Sequence, residues 1–422
     1  MLGELLPSVR TAIPGPKSRA LVDVLARHEC PAVTARRDRR AKQLGQEHDD
    51  PIVWEQAAGA NVVDADGNVF VDLIAGFGVA TLGHRPPEVL EAAGAQQARL
   101  LHAMGDAAPD ASRIRFLEAL AARAPGDLSV SMLGTSGSDA VDAAVKTAVL
   151  ATGRTHVVCF DRAYHGLATG VLPLQAYKKA FTQPFRGLLA DRVRHLPWGC
   201  SRDALVEGLS PGDVALVLVE PVQGRGGMHA PADGWLAMVA DQARCAGALV
   251  AFDEIQCGLG RTGHWWACEH DEVVPDLLCA GKALGGGYPI SACIGSSATM
   301  SAWGASTGEA LHTQTFLGHP VACAAGLAAL GAMEACDLPG MARRSSEHVR
   351  SALHERGFST RGRGLMLGID IGTDALSSCR ELLERGFITL PAGPSSLGLT
   401  PPATVTIEQW DAFVTALVEV CT

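Results

Sequence analysis

Five short apolar runs, at residues 129–133, 156–160, 214–219, 248–252 and 277–280, alternate with helical patterns through the middle of the chain. The runs are rich in Val, Leu and other apolar residues, as strands covered on both faces must be. Between them, residues 138–151 and 233–246 carry amphipathic helical spacing, and each segment opens with a plausible capping residue. Strand and helix alternating in this way predict an α/β fold with a mostly parallel central sheet and helices on both faces. Ligands of such sheets sit beyond the carboxyl ends of the strands. The turns that follow these runs are therefore where chemistry is expected.

The two ends of the chain read differently. Residues 62–63, 64–68 and 69–73 have the pattern of a hairpin turning at Asp66-Gly67. From about His319 onward comes a long Ala-rich helix, followed by mixed elements that include residues 364–371 and 408–420. Together the ends predict one smaller α+β domain. Its N-terminal segment is residues 1–75 and its C-terminal part is 319–422, and the two flank a large domain over 76–318.

With 422 residues, 47% of them hydrophobic and 19% charged, the chain can fill a large core, and wholesale disorder is not expected. The net charge of -10 and the lack of a long basic run argue against nucleic acid or an anionic membrane as partner. The N-terminus lacks the basic-then-apolar order of a secretory signal, and no apolar run reaches membrane-spanning length, so the cytoplasm is the expected location. Twelve cysteines are scattered without a C-x-x-C pair, and no metal site is expected. Only six of the 35 basic residues are lysine, which leaves few candidates for a reactive amine.

Three segments, each at the end of an expected strand, supply complementary pieces of one site. In Gly134-Thr135-Ser136-Gly137-Ser138-Asp139-Ala140, small residues open a helix and let backbone N–H groups approach a phosphate. A Gly/Ser turn capping an ordinary helix has the same composition. In the second segment, which runs from Ala251 to Gly263, Asp253 ends a hydrophobic strand, where an unpaired carboxylate is costly. A protonated pyridine nitrogen is a suitable partner, and capping of the next turn is the alternative. In the third segment, Lys282 directly follows a buried strand and precedes Gly285-Gly286-Gly287. Desolvation there lowers the pKa of an amine and suits it to Schiff-base formation, unless the side chain snorkels to solvent.

These segments together resemble the class III (omega-type) aminotransferases, a family of fold-type I enzymes that use pyridoxal phosphate (PLP). The resemblance runs from about Pro51 to Pro402. Its markers fall in family order: Tyr164-His165-Gly166, Glu220-Pro221-Val222-Gln223-Gly224, Asp253-Glu254-Ile255-Gln256, Lys282, Thr313-Gln314-Thr315-Phe316 and the stretch from Arg361 to Gly368. The resemblance implies that Lys282 carries the cofactor and shuttles the proton. It also implies that Asp253 pairs with the pyridine nitrogen and that Gln256 reaches the ring hydroxyl. Tyr164, followed by His165, stacks on one face of the ring, and Ile255 packs against the other. Ser136, Gly137 and Ser138 hold the phosphate, and Thr315 reaches it from the neighbouring subunit of a homodimer.

The chain also departs from the family pattern. Leu167 stands where an arginine usually follows His-Gly, and Gly398 stands where another usually precedes Pro-Pro. Arg225 takes the place of the glutamate that pairs with the second arginine in many members. Arg225 therefore reads either as a relocated carboxylate or phosphate contact or as a solvated surface residue. Trp54 and Phe77 fall in segments that line the substrate cleft of relatives, and packing within the small domain is the other reading of each. Phe77, where dialkylglycine decarboxylase relatives carry glutamine, counts against decarboxylation. Thr135 and Asp139 are mild changes that leave phosphate binding intact. The expected activity is transfer of an amino group between an amine or amino acid and a keto or aldehyde acceptor. An amino acid racemase or epimerase on the same fold is the rival, and a non-catalytic relative of the fold is the remote alternative.

Overall fold

The computed structural model describes residues 1–31, 41–45, 50–304 and 309–421. They fall into two compact units, one of residues 1–85, 344–360 and 367–422 and the other of residues 86–343 and 361–366.

The smaller unit begins with β1 (Trp54–Ala58), β2 (Asn61–Asp64) and β3 (Val69–Asp72). β2 and β3 form the expected hairpin, in register Val62↔Phe70. Its turn is organised by Asp64, whose Oδ1 accepts from the amides of Asp66 at 3.0 Å and Asn68 at 2.8 Å. Gly67 sits there at φ 84°, which glycine adopts without strain.

The larger unit is built on seven strands: β4 (Leu128–Gly134), β5 (His156–Phe160), β6 (Val193–Leu196), β7 (Val214–Val219), β8 (Leu249–Asp253), β9 (Leu277–Ala280) and β10 (Ser291–Ser296). Their order across the sheet is β4-β10-β9-β8-β7-β5-β6. Every pairing is parallel except those of β10, which runs antiparallel to both β4 and β9. β7 and β9 are buried at every position, the condition that their unbroken apolar sequences satisfy. The helix Gly137–Thr152 lies against this sheet, and Ala140, Val141, Ala144 and Ala148 pack with Leu216, Leu218, Leu277 and Cys279 in one core.

The units divide the chain at other points than residues 75 and 318. The Ala-rich helix Pro320–Ala335 belongs to the larger unit, where it packs against the helices Pro87–Gln97 and Ala111–Ala121. The physical reason is its composition. A helix apolar on most sides needs cover on most sides, and Val321, Ala325, Ala329, Leu330 and Met333 are all buried.

The smaller unit is completed by β11 (Met366–Asp370), β12 (Phe387–Ile388), β13 (Leu390–Pro391) and β14 (Ser396–Leu399). β12 adds in parallel to β3, and β14 pairs antiparallel with both β11 and β13. Among the described residues no single helix is long and apolar enough to cross a membrane.

Candidate active site

Apart from Thr315, the candidate residues of the larger unit gather at the carboxyl ends of β4, β5, β7, β8 and β9. β4 leads into the helix Gly137–Thr152, with Ser136 as N-cap and a complete capping box. The Asp139 carboxylate accepts from the backbone amides of Thr135 and Ser136, both at 2.9 Å, and from the Thr135 hydroxyl at 3.0 Å. Burial alone would raise the Asp139 pKa, but these bonds outweigh it and hold the group below its ordinary value. Asp139 thus occupies the amides before the helix. The next two N–H groups, those of Gly137 and Ser138, make no hydrogen bond among the described residues. Unpaired amides at the positive end of a 16-residue helix are a receptor for an anion.

The walls of this receptor are tight. A Cβ on Gly166 would lie 2.2 Å from Ser138 Oγ, and one on Gly137 would lie 3.0 Å from Ile255 Cδ1. The segment Tyr164-His165-Gly166 and the side chain of Ile255 therefore press directly on the cradle.

Asp253 ends β8 with only 5% of its surface exposed. Its Oδ2 accepts from His165 Nδ1 at 2.8 Å, and its Oδ1 accepts from the Ile255 amide at 3.2 Å. The far ring nitrogen of His165, Nε2, is buried without a partner. Glu254, the next residue, faces elsewhere. Its buried carboxylate accepts from the amides of Ala267 and Cys268, both at 2.8 Å. Burial is the largest influence on Glu254 and pushes its pKa up to about 7.

Lys282 begins a short 3-10 turn after β9 and adopts φ 45°, a left-handed conformation that a side-chain-bearing residue holds only when its surroundings impose it. Its Nζ donates to Gln256 Oε1 at 2.8 Å. Burial brings the ammonium pKa down to about 8, Arg225 adds to that, and the carboxylates of Asp253 and Glu220 oppose it. Gln256 is fixed in turn by the close approach of the next loop. A Cβ on Gly224 would lie 2.4 Å from Gln256 Oε1.

Glu220 was not given a role in the sequence reading, and the structure gives it one. It directly follows β7, and its buried carboxylate accepts from the amides of Tyr164 at 2.8 Å and Gly224 at 3.1 Å. Burial comes first among the causes that raise its pKa. The residue ties the Tyr164 loop to the Gly224-Arg225 loop, and the Arg225 guanidinium lies 4.4 Å from the centre of the Tyr164 ring. An acidic residue closing an all-apolar strand is the signal that could have found it.

The structure thus brings together Ser136, Gly137, Ser138, Tyr164, His165, Arg225, Asp253, Ile255, Gln256 and Lys282. Thr315 is exposed and makes no hydrogen bond among the described residues, although its neighbour Gln314 accepts from the Thr135 hydroxyl at 3.0 Å. Trp54 and Phe77 belong to the smaller unit. Trp54 sets its ring edge-on against His84 at 5.8 Å, and Phe77 is 49% exposed with φ 65°.

This geometry agrees with what the chain is similar to. The family described as aminotransferase class III matches residues 44–421. The acetylornithine aminotransferase of Methanopyrus kandleri is 37% identical over 329 residues, which are 77% of this chain and 82% of that protein. An ornithine aminotransferase of Toxoplasma gondii, whose structure is described with partial occupancy of PLP at the active site, superposes with a TM-score of 0.81. That match is 27% identical and covers 98% of both chains. A transaminase from the marine bacterium Virgibacillus superposes with a TM-score of 0.87 over 96% of this chain and 98% of that one. At 20% identity it speaks for the fold alone. The chain belongs to the class III aminotransferase family and is a fold-type I, PLP-dependent aminotransferase.

Proposed function

We propose that Lys282 is the residue that joins the cofactor and moves the proton as an amino group passes between an amine or amino acid and a keto or aldehyde acceptor. One observation carries this assignment. Lys282 presents an amine of pKa about 8 within 2.8 Å of Gln256, where β8 and β9 end beside an anion cradle. PLP, when bound, supplies an aldehyde that links to amines and a ring that takes up the electron pair left on the substrate carbon.

The chain's own groups fit such a molecule. The free amides of Gly137 and Ser138, with the Ser136 and Ser138 side chains beside them, suit its phosphate. Asp253, steadied by His165, is a buried acceptor able to keep a proton on the pyridine nitrogen. Gln256 has its amide nitrogen left to donate to the ring hydroxyl, since its oxygen is engaged by Lys282. Tyr164 and Ile255 supply a cover for each face of the ring. Lys282, with a pKa near neutrality, can accept a proton at the substrate carbon and return it at the cofactor.

The same reading makes the enzyme a cytoplasmic homodimer in which Thr315 of the partner subunit completes the phosphate site. The exposure of Thr315, beside a Gln314 that already touches Thr135, supports that placement. A net charge of -10 favours small-molecule substrates over polyanions.

The test is Lys282→Ala in the purified protein. Turnover is expected to vanish while cofactor still binds through the cradle and Asp253. Full cycles of amino transfer in this variant would overturn the assignment.

A further inference from the structure

The segment after β7 is a built hairpin rather than a slack loop. Gln223 and His229 exchange two backbone hydrogen bonds, at 2.9 and 3.1 Å. The Gly224 carbonyl accepts from the amides of Gly227 and Met228, both at 3.1 Å. Arg361 braces the far side by donating from Nε to the Gly227 carbonyl at 2.6 Å. Gly226 cannot carry a side chain without conflict, since its Cβ would lie 2.8 Å from the Arg162 carbonyl. Arg225 stands at the tip of this staked turn.

Its guanidinium lies against the Tyr164 ring, 4.4 Å from the centroid, and makes no ion pair or hydrogen bond among the described residues. Stacking holds the plane of an arginine and leaves its N–H edge available, so little freedom remains to be lost when a ligand binds. The nearby carboxylates are already engaged. Glu220 accepts from two amides, and Asp253 accepts from His165 and Ile255. Arg225 also acts on Lys282 as a neighbouring cation. The wall beside the reacting amine therefore carries a fixed positive group whose counter-charge is not supplied among the described residues of the larger unit. Leu167, on the adjoining loop, is exposed and apolar and adds no charge.

We propose that Arg225 is a specificity-determining residue that receives the carboxylate of the substrate, so that carboxylated donors and acceptors are preferred over uncharged amines. A planar guanidinium with a free edge matches a carboxylate in two parallel hydrogen bonds. This inference rests on the reading of Lys282 as the reaction centre.

The experiment compares wild type, Arg225→Lys and Arg225→Ala as cofactor-loaded proteins whose melting temperatures match. Calorimetry measures the dissociation constant of butanoate, a carboxylate with no amine to react. Kinetics compare 4-aminobutanoate with butylamine. Arg225→Ala is expected to weaken butanoate binding and raise the Michaelis constant for 4-aminobutanoate by about ten- to a hundredfold, the loss of one charge-assisted contact. The ratio of the specificity constants for 4-aminobutanoate and butylamine, in which any effect of Arg225 on Lys282 or Tyr164 common to both substrates cancels, is expected to fall about ten- to a hundredfold in Arg225→Ala, with Arg225→Lys between wild type and Ala because it keeps the charge but not the fork. Equal butanoate affinity in wild type and Arg225→Ala, or no binding to either, overturns the proposal and leaves Lys282 standing. Weakened PLP affinity with unchanged butanoate affinity also overturns it, by assigning Arg225 to the cofactor. Amino transfer that persists in Lys282→Ala would instead remove the reading beneath it.

Discussion

Lys282 shows how a single side chain acquires chemistry from its surroundings. Burial disfavours the charged form, so the neutral amine is reached at about pH 8 instead of the ordinary lysine value near 10.5. Folding stability contributed by this group runs the same way. The unfolded chain holds the proton between about pH 8 and 10.5 while the folded chain does not, so the penalty for burying the amine fades as pH rises through that window. Only the neutral amine attacks an aldehyde. The rate at which cofactor-free protein captures PLP is therefore expected to climb about tenfold per pH unit below 8 and to level off above it, as read by rapid-mixing absorbance. A profile still climbing at pH 10 would show an unperturbed amine. The placement of Lys282 and Asp253 at strand ends was legible in the sequence, where each closes or directly follows an apolar run, although turn capping and snorkelling were open readings there. His165 as the Asp253 partner was not, since a histidine in a loop carries no sign of what faces it.

At the scale of elements, the strands that announce themselves are the ones covered on both faces. β7 reads Val-Ala-Leu-Val-Leu-Val and needs no context. β6 and β10 escaped the sequence reading for opposite reasons. β6 is a four-residue edge strand whose Arg194 forms a salt bridge with Asp213, so its pattern is polar. β10 is buried but built largely of Ser, Ala, Cys and Gly, which carry little strand signal. The hairpin over 223–229 was equally hidden, because its three glycines carry no strand pattern and its outer brace, Arg361, is distant in the sequence. Glu254 fixes another such element by holding the amides of Ala267 and Cys268. Its raised pKa means that the folded chain retains a proton that the unfolded chain releases between about 4.5 and 7. Stability from this group is thus full below about pH 4.5 and lost as pH rises through about 7. Urea melts at several pH values should show wild type gaining stability over Glu254→Gln as pH falls from 8 to 5. A constant difference across that range would assign the titration elsewhere.

For the whole molecule, the family assignment and the gathering of ten candidate residues in the larger unit are what support the proposed reaction centre. The division into units was only partly legible. The hairpin of the N-terminal segment is where it was expected, whereas the helix Pro320–Ala335 joins the larger unit, because a run of apolar residues reveals that a helix is buried and not what buries it. The proposed dimer has its own test. Mixing unfolded Lys282→Ala and Thr315→Ala chains and refolding them gives hybrid dimers in which one site has both residues if Thr315 acts across the interface. Tight PLP binding and turnover should then reappear at about one site per hybrid, and neither should return if Thr315 serves its own chain. The central claim, that Lys282 is the residue joined to the cofactor, is tested most directly by borohydride reduction of the PLP-loaded enzyme followed by peptide mass mapping. The account predicts the phosphopyridoxyl mass on the peptide that contains Lys282 and on no peptide carrying Lys17, Lys42, Lys146, Lys178 or Lys179. That mass on any of those five, or on no lysine, would contradict it.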